Sequence, residues 1–479
     1  MNNLGNGARP QLKKTIGGIG FFALAFGSMI GVGWITTLDS WFNSAGPGGA
    51  MLAFVAGGVL MLLIGLCYAE LTPMMPVTGG EIAYAYKAFG TNKAFLVGWF
   101  LAFGYLSVSA FEAVSIGMVL GYLFPNLNKI PLYEIHGSTV YAPHILLAFI
   151  FTTFIAWINY RGVQVAMNVQ VVLTALLVGC TFLFVGVGCT QGNFENLHPL
   201  FTGDSSSASL KGFMAVFVMA PFWFVGFDTI PQAAEERSPG QGVTKLGLYI
   251  IMAIIGSTIF YILIMLAAGM IAPWQETVKN DLPTAAAFET AFESPIMVKL
   301  VLSAGAIGLL TSWNGFFIAG TRVLFALGRG HIIDGRFGNT HDTFGTPSNA
   351  IIFSGIVTAI AACLGRGALI ALVDVGSFCI AVAFLGVSLS LLQLRKTHPH
   401  AERPYRLPYA SVVATLAALG SLFILIAMVI PKSPVFLVWP LEWAILVPLC
   451  IAGILFWLFG EKQRLKIDEN ERAQLILKE

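Results

Sequence analysis

The fold is decided by the stretch Gly27-Ser28-Met29-Ile30-Gly31-Val32-Gly33, which interrupts an apolar segment that would otherwise cross a membrane as one helix. Glycine is poorly helical, and an unpaired backbone N–H or C=O group in lipid costs several kcal/mol. A break at this point must therefore face protein, water or a ligand. A second interrupted segment follows at Phe222-Trp223-Phe224-Val225-Gly226-Phe227-Asp228. Two such breaks, one in each half of a chain, indicate the mid-membrane binding site of a secondary transporter.

The composition is that of a polytopic membrane protein. Of the 479 residues, 57% are hydrophobic and 10% are charged, whereas soluble proteins carry about 25% charged residues. The start of the chain is polar and lacks the pattern of a cleaved signal peptide. Insertion is therefore expected to begin with the first spanning helix.

Twelve segments are long and apolar enough to span a bilayer, which takes about 20 residues. We expect a short surface helix at residues 81–89, between the second and third segments. The predicted spans are 17–43, 48–73, 93–124, 143–162, 166–189, 211–233, 246–272, 296–327, 347–364, 368–393, 408–430 and 437–459.

The distribution of Lys and Arg predicts the orientation. If successive loops are assigned alternately to the two sides of the membrane, roughly 20 basic residues lie on the side of the N-terminus and about 6 on the other side. The basic side is cytoplasmic in such proteins. Both termini are therefore expected in the cytoplasm. The predicted parts are a cytoplasmic segment at 1–16, a permease core at 17–430, a twelfth helix at 431–460 and a cytoplasmic tail, expected to form a solvated helix, at 461–479.

The two breaks offer complementary groups to a zwitterion. The half-helix that restarts around Gly31 to Gly33 presents free N–H groups and a positive dipole end, which suit a carboxylate. At the second break the carbonyl groups freed from Phe222 to Val225 suit an ammonium group. The alternative is that these glycines only allow close helix packing.

Ionisable residues inside spans are candidates for function, because a buried charge is costly. Glu112 lies mid-segment with no Lys or Arg within a helical turn, so it binds a proton or faces an arriving cation, unless it is a hydrogen-bonded structural carboxyl. Asp228 is a second candidate for proton coupling. Asp228 could equally cap the half-helix that follows it. For Asp39 and Asp374 we expect structural roles.

Five groups of residues together resemble the amino acid–polyamine–organocation (APC) superfamily over residues 14–430. The combination is specific for the superfamily and uninformative about substrate. The stretches are Gly27-Ser28-Met29-Ile30-Gly31-Val32-Gly33; Tyr68-Ala69-Glu70-Leu71 with Pro76-Val77-Thr78-Gly79-Gly80; Asn159-Tyr160-Arg161-Gly162-Val163 with Gln170; Gly226-Phe227-Asp228 with Ala233-Ala234-Glu235-Glu236; and Thr321-Arg322-Val323-Leu324-Phe325-Ala326-Leu327-Gly328-Arg329 with Gly345-Thr346-Pro347.

The resemblance implies an all-α fold of twelve transmembrane helices, with two inverted five-helix repeats whose first and sixth helices are broken. It implies that Phe222 is an aromatic gate over the substrate and that Glu112 and Trp313 contact the substrate side chain. An acid beside a tryptophan would suit a cation. The implied substrate-binding residues are Met29, Gly31, Val32, Gly33, Glu112, Phe222, Val225 and Trp313.

One departure concerns energy coupling. Several proton-coupled members carry a lysine seven residues after the glutamine at Gln170, and this chain has Leu177 there. Exchange, uniport, sodium coupling, or coupling through a proton on Glu112 or Asp228 all remain open. The predicted function is transport of a cationic or neutral amino acid across the cytoplasmic membrane by alternating access, with a proton or counter-substrate and the lipid bilayer as partners.

Three other functions compete with transport of an amino acid. The substrate of a polyamine or ethanolamine permease or antiporter would bring a cation to Glu112 but no carboxylate to the glycine break. A non-transporting sensor would usually add a soluble domain. An enzyme would show a nucleophile and base or a histidine–carboxylate cluster within the spans, but all seven histidines lie at or outside span ends and the six cysteines lack metal-like spacing. We expect no catalysis, no metal, no cofactor and no nucleic-acid partner.

Overall fold

The computed structural model describes residues 9–203, 205–280, 282–292, 295–433 and 435–478, so residues 1–8 of the predicted N-terminal segment and Glu479 of the tail lie outside the described residues. The chain is almost entirely helical. Its α-helices are α1 Gly18–Met29, α2 Gly33–Thr36, α3 Leu38–Met74, α4 Gly80–Phe89, α5 Thr91–Leu123, α6 Ala142–Arg161, α7 Val163–Gln191, α8 Ser206–Val218, α9 Ala220–Phe224, α10 Thr229–Ala233, α11 Lys245–Ile271, α12 Trp274–Thr277, α13 Pro283–Phe292, α14 Pro295–Arg329, α15 Ser348–Ala362, α16 Leu369–Thr397, α17 Ala410–Val429, α18 Leu441–Arg464 and α19 Glu469–Leu477.

Shorter elements connect these helices. The 3₁₀ helices are Pro125–Asn128, Phe194–Leu197, Ala234–Glu236, Gly335–Gly338 and Arg366–Ala368. Two strands, β1 Pro131–Ile135 and β2 Ser138–Tyr141, form an antiparallel hairpin that the sequence analysis did not predict. Its turn places His136 and Gly137 at positive φ (50° and 75°), as a two-residue hairpin turn requires.

Within the described residues, ten helices are long and apolar enough to span a membrane, and two shorter apolar helices, α8 and α15, occupy two further predicted spans. The protein is thus an all-α, multi-pass membrane protein. The count of twelve crossings and the inverted repeat remain predictions. The expected short helix is present as α4, one residue longer than predicted at its start, and most of its residues are buried.

The spans differ in how deeply they are buried. The segment 18–36, α5, α14 and α16 are the most enclosed, whereas α6, α7 and α18 are mostly exposed on their outer faces. Helix α5 packs against α14 and α16, and α3 packs against α11. Exposed aliphatic and aromatic side chains on the outer helices suit contact with lipid. The interior therefore forms around the interrupted first segment.

Both described chain ends lie on one face of the bundle, which we call the terminal face. The amides of Thr15 and Ile16 donate to the carbonyl oxygen of Glu236 at 2.8 and 2.9 Å. Helix α19 returns to the same face, where Arg472 Nε donates to the carbonyl oxygen of Gly330 (3.3 Å) and Ile476 is buried. The tail from residue 461 is thus largely exposed, as expected of a solvated helix, but one side of α19 is buried against the bundle because the helix is amphipathic.

Candidate functional site

The first break separates α1 from α2 at the predicted stretch. Helix α1 ends at Met29, and the single turn of α2 begins at Gly33. The last intact helical bond is donated by the Ile30 amide to the Phe26 carbonyl oxygen at 3.2 Å. Thr36 and Thr37 then bond back to the carbonyl oxygens of residues 32 and 33, which closes the short turn. The glycine cluster therefore interrupts the helix as expected.

The second break lies directly against the first. Gly226 has a φ of +133°, and a Cβ atom added there would lie 2.7 Å from both the backbone nitrogen and Cγ of Met29. Such a backbone conformation and such a close approach both require glycine. The Gly226 amide donates to Asp228 Oδ1 at 2.8 Å, which holds the chain in this turn. The structure thus brings the two predicted breaks together.

The Met29 carbonyl oxygen, which the resemblance gives to the substrate amine, already has a partner. Tyr261 of α11 donates its hydroxyl group to this oxygen at 2.8 Å, and Ser257 Oγ donates to the Met29 sulfur at 3.4 Å. Neither Tyr261 nor Ser257 was predicted for the site from the sequence. Tyr261 could have been found from the sequence, because it lies within a long apolar run and a buried hydroxyl group needs a hydrogen-bond partner.

Glu112 lies on the first break. Its side chain is buried, and a Cβ atom added at Gly31 would overlap Glu112 Oε1 and lie 3.1 Å from Ser312 Oγ. The Ser312 side chain and the Val32 backbone interact with the Glu112 carboxyl group, whereas its Oε2 atom has no hydrogen-bond partner. A carboxyl group of the protein itself therefore occupies the place that the resemblance gives to the substrate carboxylate.

Aromatic rings cover both breaks. Phe222 is buried and packs edge-on against Phe111, with ring centroids 5.6 Å apart. Trp223 packs edge-on against Phe222 at 5.1 Å, and its ring fills the space that a side chain at Gly33 would need. The sequence analysis named Phe222 and missed Trp223. Ring packing of this kind closes the break to solvent.

Trp313 and Val225, also predicted for the site, are both buried. Trp313 Nε1 has no hydrogen-bond partner, and the neighbouring residue Ser312 reaches Glu112. Val225 ends the short helix α9, and its amide donates to the Pro221 carbonyl oxygen at 3.0 Å. A polar indole nitrogen without a partner in the interior is suited to a ligand.

Asp228 does not cap the half-helix that follows it. It is the first flanking residue of α10, but its carboxyl group makes no capping hydrogen bond and instead accepts from the Gly226 amide. Its second oxygen, Oδ2, has no partner. The capping alternative is therefore wrong. Asp228 stabilises the break itself, because its carboxyl group accepts the Gly226 amide of the preceding turn.

An amide network holds α1 against the outer helices. Asn314 Nδ2 donates to Gln170 Oε1 at 2.9 Å, and Gln170 Nε2 donates to the Ala23 carbonyl oxygen at 3.2 Å. Leu177, seven residues after Gln170, is fully buried and packs close to Gly308, which in turn approaches the Gly31 carbonyl oxygen. An aliphatic side chain thus lies beside the first break.

An ion network closes the terminal face. Glu235 accepts from Arg9 Nη1 (2.6 Å), from Arg329 Nη1 (3.0 Å) and from the Thr78 amide (3.2 Å). Burial alone would raise the pKa of Glu235, but the two guanidinium groups overcome this and lower its pKa to about 2. The neighbouring Glu236 pairs with the fully buried Arg322 at 2.9 Å. Strong charge-assisted bonds therefore tie four separate stretches of the chain together.

Clusters of metal-ligating side chains do not form within the part of the chain that the structure describes. All six cysteines are free, and Cys67 and Cys379 are buried. No residue of the site described above presents a set of ligands for a metal or a cofactor. The arrangement is suited to binding a solute through backbone groups, one carboxyl group and aromatic rings.

Comparison with known proteins gives consistent matches over nearly the whole chain. The family model for amino acid permeases matches residues 16–456. A methylthioribose transporter of Bacillus subtilis is 29% identical over 85% of this chain and 87% of its own length. The branched-chain amino acid permease BcaP of the same organism is 27% identical over 94% of both chains. Cationic amino acid transporter 7 of Arabidopsis thaliana is 25% identical over 88% of this chain and 72% of its own length.

Proposed function

Because the chain belongs to the amino acid permease family of the APC superfamily, we propose that it moves a cationic or neutral amino acid across the cytoplasmic membrane by alternating access. It is a membrane transporter of this family and not an enzyme. The observation that carries the proposal is the direct contact of two interrupted helices, Gly226 against Met29, next to a buried carboxyl group. Such a meeting of broken helices suits a small charged solute.

In the proposed complex the substrate carboxylate binds the N–H groups of the first break, and its amino group binds carbonyl groups of both breaks. Phe222 acts as the gate, supported by its edge-on packing on Phe111. Rearrangement of this ring opens a path to the site. The residues proposed to bind substrate are Met29, Gly31, Val32, Gly33, Glu112, Phe222, Val225 and Trp313.

Glu112 has to move when an amino acid binds in this way. Its carboxyl group interacts with the Val32 backbone and lies against Gly31, so a substrate carboxylate competes for the same N–H groups. The displaced Glu112 then pairs with a cationic group of the substrate or takes up a proton. The first outcome favours cationic amino acids, and the second allows neutral ones.

A second candidate substrate is an amine without a carboxylate, as in polyamine or ethanolamine carriers. The position of Glu112 favours it, because the protein's own carboxyl group already serves the first break. One relative is named a methylthioribose transporter, so the names of relatives extend beyond amino acids. The two candidates differ in whether the solute brings its own anionic group.

The proposed setting is the cytoplasmic membrane, with both termini inside and a proton or counter-substrate as transport partner. The basic residues next to the terminal face support this orientation through the positive-inside rule, including Arg336, Arg395 in the last turn of α16, and Arg403. Asp228 and Glu112 are the candidates for carrying a coupling proton.

The function is tested by uptake into proteoliposomes. Purified protein should accumulate or exchange one or more labelled amino acids, measured with and without a pH gradient. Each amino acid is paired with its decarboxylated amine as competitor. Competition by the amino acid and not by the amine supports an amino acid as the substrate. The reverse result establishes an amine as the substrate, and absence of transport for the whole panel refutes both candidates.

A further inference from the structure

Two carboxyl groups, those of Glu81 and Asp228, are buried together between the second break and the surface helix α4. Both side chains are fully buried. Gln232 connects the two residues, since its Nε2 atom donates to Glu81 Oε2 and lies 3.5 Å from the carbonyl oxygen of Asp228. Glu81 was not predicted for the site, because a carboxylate on an amphipathic helix usually lies on the solvated face.

Neither carboxyl group is neutralised by a cation among the residues that the structure describes. Neither Asp228 Oδ2 nor Glu81 Oε1 forms a well-aligned hydrogen bond with another described residue. A buried charge without a partner is strongly destabilising. Two neighbouring carboxylates in such a place cannot both be ionised, so one of them holds a proton.

Among the described residues, the side chains that face the pair come from several helices and are uncharged. The Tyr68 hydroxyl group of α3 interacts with the Glu81 carboxyl group, and Tyr84 of α4 donates to Thr72 at 3.0 Å. Tyr105 of α5 donates to the carbonyl oxygen of Asp228 at 3.2 Å. Burial and the charge of Asp228 raise the pKa of Glu81 to about 8.

The two arginines of α14 on this side do not serve the pair. Arg322 is bound to Glu236, and Arg329 is bound to Glu235. Both nearby arginines are thus already paired, and the other described side chains around the pair are uncharged. A proton is therefore the positive charge that is available to the pair.

The position of the pair connects it to the terminal face. Gln232 and Glu235 lie three residues apart on the same helical stretch, and they hold Glu81 and the Thr78 amide respectively. Movement of this stretch away from α4 would break both contacts in one step. The same movement would expose the carboxyl pair to water on the terminal face.

We propose that Glu81 and Asp228 share one transported proton, which is released to the terminal face when α10 separates from α4. This inference rests on the proposed transport function and assigns its coupling ion. It also replaces the lysine that is absent at Leu177 with a carboxyl pair elsewhere in the chain. Substrate and proton would then leave through the same opening.

The sign of the pH dependence follows from the raised pKa. The closed form keeps a proton that a hydrated Glu81 would lose above pH 4 to 5. The closed form is therefore favoured at low pH and becomes less favourable as the pH rises towards about 8. Acidic solution on the opposite face should drive accumulation, and a gradient of one pH unit should support up to about tenfold accumulation for one proton per substrate.

The test compares Glu81→Gln with the wild-type protein in proteoliposomes. Substrate-driven proton movement is followed with an entrapped pH dye, and counterflow of labelled substrate is measured in parallel. Glu81→Gln should keep counterflow but lose gradient-driven accumulation and proton movement. Glu276→Gln, which alters an exposed carboxylate paired with Lys279, is the matched control and should behave as the wild type.

A second measurement does not depend on transport. Infrared titration of the purified protein should show a protonated carboxyl band that disappears as the pH rises through about 8 and that is missing in Glu81→Gln. Accumulation or proton movement that persists in Glu81→Gln would overturn the inference, as would an unchanged infrared band. Failure of all transport in the wild type would instead overturn the proposed function.

Discussion

Removal of the Glu235 carboxylate should open the terminal face. Glu235 accepts hydrogen bonds from Arg9, Arg329 and the Thr78 amide, and its side chain is only 1% exposed. Its pKa falls from the ordinary value of 4.5 to about 2, which corresponds to about 3 kcal/mol of stabilisation. Because folding lowers this pKa, the stabilisation is present above pH 4.5 and is lost as the pH falls through about 2.

In the Glu235→Gln variant, the buried Arg329 loses its carboxylate partner, and breaking such a pair costs roughly 3–5 kcal/mol. If the network forms only when the terminal face is closed, the loss of about 3 kcal/mol moves the equilibrium about a hundredfold towards the open form. The segment before α1 is held by the neighbouring residue Glu236, whose carbonyl oxygen accepts from the amides of Thr15 and Ile16. These two amides therefore report the opening.

Hydrogen–deuterium exchange followed by mass spectrometry measures this directly. Peptides that contain Thr15 and Ile16 should exchange about a hundredfold faster in Glu235→Gln, while α5 at the centre of the bundle keeps its protection. The exposed Glu276→Gln variant should leave both regions unchanged. Equal exchange of the N-terminal peptides in Glu235→Gln and wild type would refute the role given to this network, and loss of protection in α5 would indicate unfolding instead.

Three further changes test the site. Gly226→Ala forces a side chain into a positive-φ turn against Met29, so thermal denaturation should show a loss of roughly 1–3 kcal/mol together with loss of transport. Glu112→Gln removes the charge at the first break, so the ratio of cationic to neutral amino acid uptake, or its dependence on pH, should change. Phe222→Ala removes the gate, so exchange rates should fall more than substrate affinity does.

For each of these three variants, one outcome would contradict the expected role. A Gly226→Ala protein with wild-type melting and uptake would show that the two breaks need not touch. Transport by Glu112→Gln that matches the wild type for every substrate and pH would exclude this carboxyl group from binding and coupling. A pure loss of affinity in Phe222→Ala, with unchanged maximal exchange, would contradict a gating role.

The breaks were predictable because their cause is local. Closely spaced glycines within an apolar run weaken a helix locally, and the structure has the interruptions at Ile30 to Val32 and around Gly226, whereas isolated glycines such as Gly65 and Gly104 remain inside helices. The short helix α4 was equally predictable from the sequence, since its polar residues distinguish it from the apolar spans on either side. The β-hairpin was missed because its strands are short and its turn lies in a loop.

The contacts between distant residues were not predictable in the same way. Glu112 and Gly31 were both assigned to the site, but their contact depends on how α5 packs against the first break. Tyr261 and Trp223 lie in apolar runs that show no preferred face, so the sequence gives no sign of the direction in which they point. Glu81 resembles a solvated carboxylate until folding covers it with Gln232.

The most direct test of the central claim measures binding of labelled amino acids to purified wild-type protein and to Gly31→Leu. Half-buried Gly31 lies against the Glu112 carboxyl group, and a leucine there would obstruct the N–H groups of the first break. We predict saturable binding to the wild type and none to a Gly31→Leu protein whose elution on gel filtration and melting temperature are preserved. Undiminished binding to that folded variant would contradict the account.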